Sequence, residues 1–178
     1  VQKLSSSYFL VIDPGHGGMD SGAIGAGHYE KTLNLTVAKI VKEKLEKKDI
    51  HVYMTRSKDE TLSLEDRVNY SNEISPDVFI SIHTNSTLQE DTYGLETYYF
   101  KDDSIELAQK IHEHFASEKN LRKWETKDRG VFKSRFYVIN HTEAPSILIE
   151  MGFISNLEER VKLLEEDRQE EIANSIAA

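Results

Sequence analysis

Cysteine is absent from the 178 residues, which removes disulfides, thiolate nucleophiles and Cys-type zinc sites together. Its absence leaves the compartment open, although a cysteine-free domain is safe outside the cell. Long apolar runs are also missing, since nothing approaches the ~20 consecutive residues of a membrane span. Val1 to Ser7 show neither the basic start nor the apolar centre of a secretory leader. Positive charge is scarce: 22 Lys and Arg stand against 31 Asp and Glu, and a net charge of −9 argues against a nucleic-acid backbone as partner. An uncharged or mixed polar substrate fits better. Repeats, low-complexity tracts and linkers are lacking too, so 178 residues with 38% hydrophobic content are expected to form one domain around one core.

What is present is organised as three apolar runs that end on residues able to bind a metal or carry a proton. Phe9–Ile12 runs into Asp13-Pro14-Gly15-His16, Val78–Ile82 into His83, and Ile147–Ile149 into Glu150. Short runs of this kind read as buried strands, and ligands of open α/β sheets sit beyond the carboxyl ends of strands. Strand-like runs recur near 8–12, 50–55, 78–82, 94–100, 135–139 and 146–150. The first three are separated by segments of helical period, which predicts an α/β fold with right-handed crossovers and a largely parallel sheet.

Leu33, Val37, Ile40, Val41 and Leu45 share one face of a helix starting at about Glu30, with Lys42, Lys44, Lys47 and Lys48 toward its cation-favouring end. Ser63 with Asp66 reads as an N-cap ahead of a helix to about Glu73. Ile105, Ala108, Ile111 and Phe115 mark another, and Asn156 with Glu159 opens a tail helix that Asp167 interrupts. Ser117–Lys133, polar and holding the only Trp, reads as a long loop that walls a groove. The chain opens on Val1 and stops in the tail helix, so the expectation is a domain over 1–178, core about 8–177, excised from a longer chain and monomeric by default.

A hydrolytic zinc site keeps three protein ligands from His, Glu or Asp and leaves a position for water. His16, Glu30 and His83 suit that scheme, with Glu150 as the carboxylate that takes a water's proton and passes it to the leaving nitrogen. Placement between Ile149 and Met151 favours the raised pKa this role needs. Each residue taken singly has a plainer reading: a lone His after a strand is more often structural, and a Glu at a helix start serves the dipole. His28, close to Glu30, can replace one of the ligands. His112 and His114, two apart on a helix, cannot share a metal and read as solvated surface. No Lys-Ser or Lys-Thr follows the glycines of 15–27, no spaced Gly-x-Gly-x-x-Gly is present, and no Gly-x-Ser-x-Gly elbow occurs, so phosphate loops, dinucleotide folds and serine hydrolases are unsupported.

Six ordered blocks carry a family resemblance: Asp13-Pro14-Gly15-His16-Gly17-Gly18; Glu30 with Leu33-Asn34-Leu35; Met54-Thr55-Arg56; Ser63-Leu64 with Arg67; Ser81-Ile82-His83-Thr84-Asn85; and Glu150-Met151-Gly152-Phe153-Ile154-Ser155-Asn156. From about Tyr8 onward the chain resembles the zinc-dependent N-acetylmuramoyl-L-alanine amidases of the amidase 3 family, catalytic domains of bacterial autolysins. The resemblance implies a mixed, mostly parallel six-stranded sheet flanked by helices. It also implies one Zn²⁺ on His16, Glu30 and His83, and Glu150 as catalytic carboxylate. The implied reaction cuts the amide between the lactyl group of N-acetylmuramic acid and L-alanine in peptidoglycan, outside the cell at the wall. Ala26–Glu30 lacks the inserted helix that blocks the site of regulated relatives. Asn85 and Arg129 are the candidates for holding substrate polar groups, whereas Arg56 and Arg67 are expected to tie the scaffold together. The competing readings are a zinc peptidase acting within the stem peptide and a non-catalytic peptidoglycan-binding module.

Overall fold

The computed structural model describes residues 7–178, so the reading of Val1 to Ser7 falls, but for Ser7, outside the described residues. In chain order the strands are β1 (Tyr8–Pro14), β2 (Ile24–Gly25), β3 (His28–Tyr29), β4 (Ile50–Met54), β5 (Val78–Asn85), β6 (Leu95–Tyr99), β7 (Asp128–Lys133) and β8 (Ser146–Phe153). The helices are α1 (Glu30–Glu46), α2 (Leu64–Ile74), α3 (Ile105–Phe115), α4 (Glu118–Trp124), α5 (Tyr137–His141), α6 (Leu157–Leu163) and α7 (Glu166–Ile176). Six strands form one sheet in the order β4-β1-β5-β8-β6-β7, while β2 and β3 pair as a small hairpin. β4, β1, β5 and β8 run parallel, β6 is antiparallel to β8, and β7 is parallel to β6. The sheet is therefore mixed and mostly parallel, as expected.

Side chains alternate between the two faces of a strand, and that alternation splits the core. Ile12, Ile80, Ile82, Ile147 and Ile149 belong to the larger cluster, where Leu33, Val37 and Val41 of α1 and Ile172 and Ile176 of α7 meet them. Val11, Phe79 and Leu148 belong to the smaller one, closed by Val68 of α2 and by Val138 and Ile139 of α5. Ser63 caps α2 reciprocally with Asp66, satisfying two otherwise orphaned backbone N–H groups. The tail bends at Leu164 and Glu165, just before the Asp167 named from sequence, and gives α6 and α7.

Three expectations are overturned. Residues 135–139 are not a strand: Tyr137–His141 form a single turn of helix, α5. A short aromatic and β-branched run fits either state, and here it caps the smaller core instead of entering the sheet. Ser117–Lys133 is not one long loop but α4 followed by edge strand β7, whose half-exposed polar composition hides its pairing. Trp124 is buried beside Phe115 with the Arg168 guanidinium 3.8 Å from its ring centroid, well away from the His16–Glu30–His83 cluster in the fold's connectivity. His112 is not solvated surface. It is buried, bridging the Thr97 hydroxyl and the Asp128 carboxylate at 2.8 Å each, and so ties α3 to β6 and β7.

Candidate metal centre and active site

Parallel alignment of β1, β5 and β8 brings their carboxyl ends to one edge, where the chain must turn and side chains converge. Two buried arginines shape that turn. Arg56 donates to the carbonyls of Pro14 and Gly15 at 3.0 Å each, and Arg67 to those of Pro14 and His16 at 2.8 Å each. Asp13 balances Arg67 at 2.8 Å and also accepts from Thr55 and Ser81. Burial pushes the Asp13 pKa up, but the Arg67 charge and these hydrogen bonds outweigh it and hold the carboxyl below the usual carboxylate range. Arg56 and Arg67 are thus scaffold ties, as the sequence suggested.

The turn ends at His16, a non-glycine residue with φ +62°, a conformation that costs energy unless its surroundings enforce it. Its Nδ1 meets Asp20 Oδ2 at 2.7 Å, which leaves Nε2 facing Glu30 Oε1 at 3.2 Å. Glu30 is the first residue of α1 and is buried. Its Oε1 also accepts from the Thr84 backbone N–H at 3.1 Å, and its Oε2 from the Ala23 N–H at 2.9 Å. His83 Nδ1 lies 3.0 Å from the same Glu30 Oε1, and the two imidazoles stand edge to face with centroids 5.1 Å apart. Gly15 carries no side chain for a concrete reason: a Cβ there would fall inside the His83 ring. Burial pushes the Glu30 pKa up, yet its contacts with His16 and His83 drive it far below the ordinary range.

One ligand atom from each of His16, Glu30 and His83 lies within 4.8 Å of the others, so the three can hold a metal ion. Two imidazoles and a carboxylate are the donor set of hydrolytic sites, and the Asp20 contact on the far nitrogen of His16 is of the kind that orients a histidine toward a metal. His28 lies in β3, exposed, and does not belong to this cluster.

Glu150 sits beside it. It is the register partner of His83 across β5 and β8 and of Glu96 across β6 and β8, so the three form one row across the sheet. The Glu150 Oε2 atom is shielded from solvent and has no hydrogen-bond partner among the described residues. Burial, then the negative charges of Glu30 and Glu96, push its pKa well up.

Asn85 and Arg129 do not meet the His–Glu–His cluster directly. Both are pinned by Glu96: Asn85 Nδ2 donates to Oε2 at 2.9 Å and Arg129 Nε to Oε1 at 2.6 Å, while the Tyr98 hydroxyl donates to Oε2 at 2.6 Å. Glu96 and Asp20 escaped the reading of the sequence. The signal for Glu96 was available as a charged residue on one face of the alternating stretch Leu95–Phe100. Asp20 stands four residues after His16, but nothing in an irregular loop shows that this spacing brings the two side chains together.

A cavity of about 340 Å³ adjoins the cluster, lined by His16 and His83 together with Leu62, Leu64, Phe136, Tyr137 and Leu148. Sheet, cavity and donor set together define an α/β domain with a candidate metal site of two histidines and a carboxylate. The family follows from comparison. The chain belongs to the Amidase_3 family, N-acetylmuramoyl-L-alanine amidase, whose model matches residues 10–178, and it is an amidase catalytic domain of that family. It is 40% identical over 171 residues to N-acetylmuramoyl-L-alanine amidase LytC of Bacillus subtilis, covering 94% of this chain and 34% of LytC. The chain thus spans about a third of that relative's length. Its fold matches the catalytic domain of CwlV, N-acetylmuramoyl-L-alanine amidase from Bacillus (Paenibacillus) polymyxa var. colistinus, with a TM-score of 0.89 and 39% identity over 96% of this chain and 94% of that one. It also matches N-acetylmuramoyl-L-alanine amidase from Clostridium difficile 630, with a TM-score of 0.90 and 38% identity over 97% and 94% of the two chains.

Proposed function

We propose that this domain hydrolyses the amide between the lactyl group of N-acetylmuramic acid and L-alanine in peptidoglycan, with one zinc ion on His16, Glu30 and His83 and with Glu150 carrying the proton. The observation that bears most weight is the Glu150 carboxyl, unpartnered at Oε2 and in register with His83 at the edge of the cluster. Zinc, when bound, supplies Lewis acidity to polarise the scissile carbonyl and acidify a water molecule.

The protein's own groups do the rest. Glu150 accepts the water's proton and returns it to the departing alanine nitrogen; burial, with the negative charges of Glu30 and Glu96, raises its pKa and so favours its holding the proton between the two transfers. The Thr84 and Ala23 N–H groups hold Glu30 in place, and Asp20 fixes which nitrogen of His16 faces the centre. Asn85 and Arg129 are the proposed partners of substrate polar groups. Family membership supports an extracytoplasmic location at the cell wall.

Digestion of purified peptidoglycan followed by mass spectrometry tests the reaction. Free N-terminal L-alanine on the released stem peptides is the expected product, lost with a chelator and restored by Zn²⁺. Cuts between later stem residues would establish a peptidase instead, and binding without cleavage would establish a wall-binding module. His16→Ala and His83→Ala should each lower zinc stoichiometry toward zero, and full occupancy in both would refute the ligand set.

A further inference from the structure

The row His83, Glu150, Glu96 gives the cleft a direction. The metal cluster lies at the β1 and β5 end of that row, and Glu150 stands one strand farther on, toward β6. In the proposed reaction the leaving nitrogen takes its proton from Glu150. In that reaction the peptide continuing beyond the nitrogen runs toward β6 and β7, away from the cavity that Phe136 and Tyr137 line.

On the peptide side the chain builds one unusual feature. In the β6–β7 ladder Leu95 pairs with Asp128 and Glu96 with Gly130, so Arg129 is an extra, unpaired residue in a bulge. Bulges bend a strand and re-aim a side chain, and they recur beside active sites. Here the bulge sends Arg129 back over β6. Its stem lies across Gly94, where a Cβ would come within 2.6 Å of Arg129 Cγ, so only glycine leaves it room. Its guanidinium lies 5.2 Å from the Phe153 ring centroid, and its Nε is anchored on buried Glu96. With Nε occupied, the two terminal nitrogens have no hydrogen-bond partner among the described residues, and the side chain is 31% exposed. The result is a rigid, planar pair of charged donors beyond the proton carrier, the geometry that suits a carboxylate.

We infer that Arg129 is a specificity residue that binds a free carboxylate on the peptide side of the scissile bond, the α-carboxylate of a γ-linked glutamate one residue beyond the alanine. This assignment rests on the proposed amidase reaction. Glu96 is the positioning residue: it locks the Nε edge of Arg129, so that the free edge points outward.

The test uses two synthetic muramoyl dipeptides that differ only in that group, carboxylate in one and carboxamide in the other. Their binding is measured by calorimetry to zinc-loaded Glu150→Gln, with hydrolysis by the zinc-loaded wild-type protein in parallel. The carboxylate form should bind about 10- to 100-fold more tightly, as expected for a charged hydrogen-bonded pair. The same preference should fall on KM rather than kcat. Adding Arg129→Lys, which keeps a cation for Glu96, should weaken the preference, and adding Arg129→Gln should erase it. Equal binding of the two forms, or a preference that survives Arg129→Gln, overturns the assignment. Wild-type cleavage at a bond other than muramoyl–alanine is a separate result that overturns the proposed reaction, with the carboxylate preference still decided by the binding data.

Discussion

At the scale of single residues, the site is governed by three carboxylates with different partners. Glu30 faces two imidazoles and is held ionised; Glu96 faces Arg129, Asn85 and Tyr98; Glu150 faces neither cation nor donor and is driven toward its neutral form. This has a consequence for stability. The folded pKa of Glu150 lies above that of an exposed glutamate, so its contribution is fully present below about pH 4.3 and is lost as pH rises through the folded value. Metal-free Glu150→Gln should therefore melt above the metal-free wild type at pH 7 to 8, with the gap closing toward pH 4, as thermal unfolding across pH will show. The zinc-loaded variant should bind metal normally yet lose about 10²- to 10⁴-fold in kcat, the range for a missing proton carrier. Gly15→Ala should disturb the same centre by another route, since its methyl group displaces the His83 ring; zinc affinity measured by competition should drop while the far-ultraviolet circular dichroism holds.

At the scale of elements, the strand-end turn after β1 depends on a buried ion pair. Asp13 has a depressed pKa, so its stabilising effect is present above about pH 3.9 and is lost as pH falls through the folded value. Asp13→Asn should cost about 3 to 5 kcal/mol near neutrality, because Arg67 is left buried and unpaired. Urea midpoints should show that cost shrinking in acid. Most elements were legible in local pattern: α1 from its apolar face, α2 from Ser63 and Asp66, and β1, β5 and β8 from their apolar runs. The failures have physical causes. Arg135–Ile139 is too short for periodicity to separate strand from helix, and the α5 turn is stabilised by the core it covers. β7 is an edge strand with polar, half-exposed residues, and its existence depends on pairing with β6, whose partners precede it by 33 to 34 residues, as in Leu95 with Asp128 and Glu96 with Gly130.

At the scale of the whole molecule, the proposed metal site couples metal binding to the fold. An ion bound to residues from β5, α1 and the loop after β1 is held only by the folded chain. Zinc at 100 times its dissociation constant should thus stabilise the domain by about 2.7 kcal/mol, read as a chelator-reversible rise in melting temperature. The amino-acid sequence alone determined the identity of the chemical groups, the apolar runs that deliver His16, His83 and Glu150 to strand ends, and the helix start that delivers Glu30, because each is encoded within a few neighbouring residues. Only the tertiary structure decided that Glu150 stands between His83 and Glu96, that Asn85 and Arg129 share Glu96, and that His112 is a buried tie. Those relations arise from strand order and register, which are set by the packing of segments far apart in the chain.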